Sequence, residues 1–243
     1  MPLNQMSEHF NDAFEIYFPR QRFLERACFG AANLAVLQAF RWRQRLFRGE
    51  LLVNERIVEY PIVLRWIKES GRVLDIGCVS SRLPVQLASL GYEVHALDTR
   101  DYRFTHPNLT FHRADLFRWT PAVKYDVIVL VSVLEHFGLG AYGDAVAPEG
   151  DKRAINLITQ WLAPGGQLLV SVPFGVASQT PKYRIYDSAG LRRLFGDLQW
   201  VRERYFARRE GAWLPGDPSE IETIASPELP VNGVAILDAR APQ

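Results

Sequence analysis

From about residue 70 onward, short apolar runs rich in Val, Ile and Leu alternate with stretches whose apolar residues recur at helical spacing. That alternation is the signature of βαβ units building a parallel sheet in an α/β fold. RVLDI (72–76) reads as a first strand and RLPVQLASLG (82–91) as a helix. Pro84 is tolerated there because it falls in the first turn, where its missing N–H has no helical partner to lose. YEVHALD (92–98), LTFHRAD (109–115) and YDVIVLV (125–131) read as the next three strands. The last of these is the most apolar, which predicts a central strand covered on both faces. DKRAINLITQWL (151–162) has the spacing of an amphipathic helix, followed by a Pro-Gly-Gly turn at 164–166 and a fifth strand, QLLVSVPF (167–174).

After the fifth strand the pattern changes. A polar, lid-like stretch (175–187) leads to a short helix (188–195) and two last β-like runs, QWVRERYF (199–206) and NGVAILDAR (232–240). These runs are expected to pair as an antiparallel hairpin at the sheet edge, and their proline-rich, acidic connection (207–231) to be an exposed loop. The first 60 residues differ in character, with Arg, Phe and Leu at helical spacing and no β signal. Residues 1–60 are therefore expected to form a helical cap or extension and residues 61–243 the sheet domain. A covering for the sheet edge is the simpler role for the same helices.

Composition narrows the setting. At 243 residues the chain suits one domain plus decoration. Lys+Arg 28 against Asp+Glu 27 leaves a net charge of +1, so no global field favours a nucleic-acid partner. Cys28 and Cys78 sit in apolar settings and suit reduced thiols of a cytoplasmic protein. The N-terminus is acidic and aromatic, unlike a signal peptide. The most apolar early run, AANLAVLQAF (31–40), is interrupted by Asn33 and Gln38 and falls short of the roughly 20 residues of a membrane span. A cytoplasmic protein without a transmembrane segment is expected.

The candidate chemistry lies at the carboxyl ends of the strands. Asp75 ends the first strand, and Gly77 opens a turn into a helix, which sets backbone N–H groups and a helix dipole at the edge where open α/β sheets bind ligands. Asp98, at the end of the second strand, has the position of an acid that accepts hydrogen bonds from ribose hydroxyls. Asp115, after the third, is placed to receive a base amino group. Each Asp also suits a helix N-cap or a turn, with no ligand at all. The turn itself is Gly77, Cys78, Val79, Ser80, Ser81, Arg82, so the second and third glycines of G-x-G-x-x-G are missing and a pyrophosphate would meet side chains. Ser80 or Ser81 can cap the following helix. Cys78 reads as a small packing residue rather than a nucleophile.

VLDIGC (73–78), ALD (96–98), ADL (114–116), KYDVIVLVSVLEH (124–136) and LAPGGQLLVSVP (162–173), in this order and spacing, resemble the motifs of the class I S-adenosylmethionine-dependent methyltransferases. The resemblance implies a Rossmann-like, seven-stranded, mostly parallel sheet with a reversed last strand. It also implies S-adenosyl-L-methionine as cofactor, with S-adenosyl-L-homocysteine as product. It sets Asp75, Gly77, Cys78 and Ser80 near the methionine end, Asp98 on the ribose, Asp115 and Leu116 near the adenine, and Ser132 beside the donor. Such a donor has no phosphate, so a β-carbon in the turn is easier to accommodate. EHFGLGAYGDAVAPEGDKRAI (135–155) is similar to a poorly characterised branch of methyltransferase-like proteins with an E-H-x-G-L-G-x-Y-G-D stretch, which brings no defined substrate.

Glu135 and His136 follow the fourth strand. His136, with an ordinary pKa near ~6.5, is the candidate base, although the pair also suits a role in satisfying backbone groups. Related O-methyltransferases hold a divalent metal near such a pair, but Ser132 stands where an acidic ligand is expected, so no metal site is assigned. The glycine-rich loop after His136 carries Tyr142 and is a candidate wall of an acceptor pocket; a long turn with Asp151 capping the next helix fits equally. Arg184 and Tyr186 extend that pocket, with Arg184 suited to an anionic acceptor or simply to solvent. RWRQRLFRGE (41–50) concentrates Arg41, Arg43, Arg45 and Arg48 beside aromatics; it suits a phosphate-bearing or acidic partner, or a solvated helix face with Trp42, Leu46 and Phe47 inward. The expected activity is methyl transfer to an oxygen or nitrogen of a small molecule on a sugar, lipid-linked or secondary-metabolite scaffold. The alternatives are a non-catalytic binding protein of the same fold, and an RNA methyltransferase using the basic helices. Pairing of those helices would give a homodimer.

Overall fold

The computed structural model describes residues 54–68, 70–140, 146–147, 149–196, 198–224 and 231–241, with Leu34, Ala35, Gln38, Ala39 and Trp42 of the N-terminal region. The chain divides into two compact units, Met1–Leu52 and Val53–Gln243. The described residues of the first are helical, and Trp42 is exposed. The rest of the basic run 41–50, the helix-mediated homodimer, Cys28 and Tyr142 lie outside the described residues.

In the second unit, helix α1 (Arg56–Trp66) precedes strand β1 (Arg72–Ile76), so the boundary expected at residue 60 falls inside a helix. Helix α2 (Leu83–Ser89), β2 (Glu93–Asp98), β3 (Leu109–Arg113) and β4 (Tyr125–Val131) follow within a residue or two of the ranges expected from the pattern. A 3-10 turn at Leu134–His136 leads towards α3 (Gly150–Trp161) and β5 (Leu162–Pro173). Next come the two-residue strands β6 (Ser178–Gln179) and β7 (Arg184–Ile185), α4 (Ser188–Leu194), β8 (Gln199–Arg209), β9 (Ala212–Pro215), the short α5 (Pro218–Ile221) and β10 (Gly233–Arg240). The main sheet has the order β3-β2-β1-β4-β5-β10-β8-β9. β1 to β5 pair in parallel, and β10 runs antiparallel to both β5 and β8.

Strand alternation assigns the two faces. Val73, Val127 and Val129 point to one side, packing with Val63 of α1 and Leu83 and Leu87 of α2. Leu74, Ile76, Ile128 and Leu130 point to the other, packing with Ala154, Ile155 and Ile158 of α3. β4 is buried along both faces, as its unbroken apolar run requires, and each such Val or Leu contributes about 1.5–3 kcal/mol of burial.

Four expectations need correction. Among the described residues the sheet has eight strands rather than seven, because β9 turns back on β8. β8 and β10 do pair, but β10 is inserted between β5 and β8 instead of lying at the edge, since its row of buried residues needs a neighbour on each side. The connection expected as an exposed loop holds β9 and α5, whose Ile221 is fully buried. The lid-like stretch is a two-stranded hairpin, β6–β7, with Tyr183, Ile185 and Tyr186 buried.

Helix α1 is fixed to the sheet by a buried polar network. Gln167 Nε2 donates to Trp66 O at 2.9 Å and to Asp238 Oδ1 at 3.0 Å, while its Oε1 accepts Lys68 N–H at 2.9 Å. Arg202 Nε donates to Asp238 Oδ2 at 2.8 Å, and its guanidinium lies over the Trp66 ring. Every buried polar group in this network has a partner, which satisfies the condition for holding polar side chains at a helix–sheet seam.

Candidate functional site

A cleft opens where β1, β2 and β4 end. Its lining includes Gly77 and Ser80 after β1, Asp98 and Arg100 after β2, Asp115, Leu116 and Phe117 after β3, and Ser132, Val133 and His136 after β4. Arg56 reaches it from α1. Gly77 has φ +76°, and a Cβ there would lie 2.4 Å from Val133 Cγ2, so the turn tolerates only glycine. Val79, in the place of a second glycine, donates its N–H to Asp98 Oδ2 at 3.0 Å. Asp98 also accepts Arg100 N–H at 3.0 Å and Nε at 3.3 Å on Oδ1 and the longer Arg100 Nη2 contact at 3.5 Å on Oδ2, so both of its oxygens are engaged. Asp115 Oδ1 accepts Phe117 N–H at 2.8 Å, so it shapes its own turn as well as lining the cleft. Of the two candidate caps, Ser81 acts: its Oγ accepts Leu83 N–H at 2.9 Å and lies 3.0 Å from the Tyr60 hydroxyl.

Beneath the cleft lie three buried carboxyls. Glu59 is fully buried and meets Arg56 Nη1 at 3.1 Å and the Ser132 hydroxyl at 2.6 Å. Burial raises its pKa, against the pull of Arg56 and Ser132. Ser132 is held at φ +49°, a left-handed conformation that costs energy in any residue but glycine. Asp75 is pushed up to about 8 by burial, opposed by Arg56 and reinforced by Asp98, and its Oδ2 has no hydrogen-bond partner. Glu135, likewise buried, is pushed up to about 8, and its Oε2 is also unpartnered. His136 Nδ1 lies 2.5 Å from Lys182 O and its Nε2 3.6 Å from Glu135 Oε1. A carbonyl only accepts, so Nδ1 carries a proton. Cys78 is buried with its thiol pushed up by burial, the state of a packing residue.

A family described as "Caenorhabditis protein of unknown function, DUF268" matches residues 111–212. No curated protein matches the chain. Solved structures do. An S-adenosylmethionine-dependent methyltransferase from Mesorhizobium loti aligns with a TM-score of 0.53 at 16% identity, over 75% of this chain and 97% of its own. The 1,6-didemethyltoxoflavin-N1-methyltransferase of Burkholderia thailandensis, solved with 1,6-didemethyltoxoflavin and S-adenosylhomocysteine bound, aligns at 0.52 and 13% identity over 93% and 92%. A SAM-dependent methyltransferase from Methanosarcina mazei gives 0.52 and 15% over 75% and 98%. The chain has the class I methyltransferase fold.

Within that methyltransferase fold, the sequence-derived residues separate into three groups. Gly77, Ser80, Asp98, Asp115, Leu116, Ser132 and His136 line the cleft. Asp75, Cys78 and Glu135 sit buried behind its lining. Arg184 and Tyr186 line a second cavity, where both engage Asp151: Tyr186 OH donates to its Oδ2 at 2.8 Å, and Arg184 Nε lies 3.6 Å away. Arg184 Nη1 also donates to Phe137 O at 2.7 Å. These two therefore brace the 3-10 turn and the start of α3. Asp151 is inside α3 rather than capping it, although its Oδ1 accepts Lys152 N–H at 2.9 Å. Among the described residues no cluster of three or more His, Cys, Asp or Glu is arranged for a metal, and no helix is long and apolar enough to cross a membrane. Arg56 and Glu59 were not legible as site residues. The signal was an Arg and a Glu three apart in the otherwise apolar RIVEYPIVLRW.

Proposed function

We propose that this chain is an S-adenosylmethionine-dependent methyltransferase acting on an oxygen or nitrogen nucleophile of a small molecule. The observation that carries this reading is the cleft at the strand ends, where a glycine that admits no Cβ, Asp98 and the Asp115–Leu116 turn converge. The residues fit the donor. The unpartnered Asp75 Oδ2 suits an ammonium, Asp98 lines the cleft where a ribose hydroxyl can displace its long Arg100 Nη2 contact, and Leu116 and Phe117 offer an apolar seat beside Asp115. When bound, the donor supplies an electrophilic methyl group on a sulfonium.

The remaining work falls to the chain itself. Methyl transfer needs in-line placement and, for a protonated acceptor, a base. With Nδ1 donating to Lys182 O, Nε2 is the nitrogen of His136 that takes up the acceptor's proton. The near-neutral net charge supports a small acceptor over a polynucleotide. Titration calorimetry with S-adenosylhomocysteine tests the donor site: binding is expected, and no heat from folded protein would overturn the reading. With labelled donor and an acceptor panel, His136→Gln should lower turnover by about 10²–10⁴-fold while leaving homocysteine-product affinity intact.

A further inference from the structure

The turn after β1 has already committed three of its backbone donors. The Gly77, Val79 and Ser81 N–H groups are already donated, to Leu97 O at 2.8 Å, Asp98 Oδ2 at 3.0 Å and Cys78 O at 2.8 Å. A glycine-rich turn that receives a charged ligand works by aiming such amides at it. The turn therefore keeps fewer free amides for a negative charge at this end of the cleft, and a cation from another element can add to them.

Helix α1 supplies the group. Arg56 sits in its first turn, with Nη1 fixed on two sides by Val131 O at 2.7 Å and Glu59 Oε2 at 3.1 Å, and with the guanidinium over the Tyr60 ring at 5.6 Å. These anchors fix the guanidinium plane. Among the described residues its Nε and Nη2 have no hydrogen-bond partner, and the side chain lines the cleft together with Gly77, Ser132 and His136. The Nε–Nη2 edge is the pair of parallel donors that matches a carboxylate in two-point fashion, a match that lysine does not reproduce. Asp75, close enough for Arg56 to oppose its raised pKa, supplies an orphaned carboxyl oxygen at the same end. A half-satisfied cation beside a half-satisfied acid is the complement of an α-amino acid, with its carboxylate and ammonium on one carbon.

We propose that Arg56 grips the carboxylate of the donor's amino-acid end, in place of the backbone amides that Val79 and Ser81 have withdrawn, while Asp75 receives the ammonium. Glu59 is the positioning residue that holds Arg56 by its opposite edge and is itself oriented by the Ser132 hydroxyl. The proposal rests on the donor reading above, and two ligands separate them. S-adenosylhomocysteine carries the amino-acid end; 5′-methylthioadenosine keeps the adenosine and thioether and lacks it.

The experiment measures dissociation constants for both ligands with the wild-type chain, Arg56→Gln and Arg56→Lys. Arg56→Gln should weaken S-adenosylhomocysteine by about 10–100-fold, the worth of a charge-assisted pair, and leave 5′-methylthioadenosine within about twofold. Should Arg56→Gln fail to fold with Glu59 left unpaired, Arg56→Lys, which keeps the charge, carries the same comparison with a loss of about 3–10-fold confined to S-adenosylhomocysteine. Unchanged affinity for S-adenosylhomocysteine in the folded variant overturns the proposal, and so does an equal loss for both ligands, which would mean that Arg56 only shapes the cleft. In either case the donor reading stands. A wild-type chain that binds neither ligand removes the donor reading and the proposal together.

Discussion

Glu135 shows how burial alone changes what a carboxyl does. Folded, Asp75 and Glu135 hold their protons up to about pH 8; unfolded, they release them near 3.8 and 4.5. Between those limits the folded chain binds more protons than the unfolded chain, so stability falls as pH rises. It is greatest below the unfolded values and is lost through about pH 8. Melting temperatures recorded from pH 5 to pH 9 should decline accordingly, and Glu135→Gln should flatten part of the decline; an undiminished slope in that variant would refute the raised Glu135. At this scale the sequence was informative about which residues meet and much less about their state. Asp98, Asp115, Gly77 and Ser132 were found because each ends a strand whose apolar run fixes its position. That Asp98 is already loaded by Val79 and Arg100 could not be read, because it depends on a turn conformation that several backbone paths through Cys78–Ser81 would satisfy.

Among the elements, the β6–β7 hairpin is the one whose role changed most. The polar stretch 175–187 was expected to be lid-like, with Arg184 and Tyr186 extending an acceptor pocket, and the buried Tyr183, Ile185 and Tyr186 give it the packing of a support. Through Lys182 O on His136 Nδ1 and Arg184 Nη1 on Phe137 O, it sets the orientation of the turn that carries the candidate base. Tyr186→Phe removes the hydroxyl that serves Asp151, at a cost of about 1–3 kcal/mol for the group left short of a donor. The expected result is a lower melting temperature and reduced turnover with S-adenosylhomocysteine affinity unchanged; weaker donor binding would instead tie the hairpin to the donor side. The hairpin was hidden from the pattern because two-residue strands carry too short a period to register. Helix α1 was hidden for another reason: the boundary expected at residue 60 divides it between cap and sheet domain, and it is the Gln167 and Arg202 contacts to Trp66 that bind its end to β5 and β8.

For the whole molecule, the parallel half of the sheet was legible almost residue by residue, since each strand is a compact apolar run between turn signals. The antiparallel half was not. β8 and β10 have comparable patterns, and nothing local states which of them takes the inner place; that is decided by burial, β10 being covered along nearly its whole length and β8 only in part. Ile236→Pro, in the middle of β10, would remove one ladder donor from a strand paired on both sides and set its ring against the sheet, and should yield aggregated rather than merely destabilised protein, measured as the soluble fraction after expression. A normal soluble yield would mean that the sheet tolerates a break there. β10 also follows every other strand along the chain. During synthesis, then, β5 and the β8–β9 ribbon leave the ribosome with facing edges still open, and the sheet closes only once β10 has been made and taken its place between them.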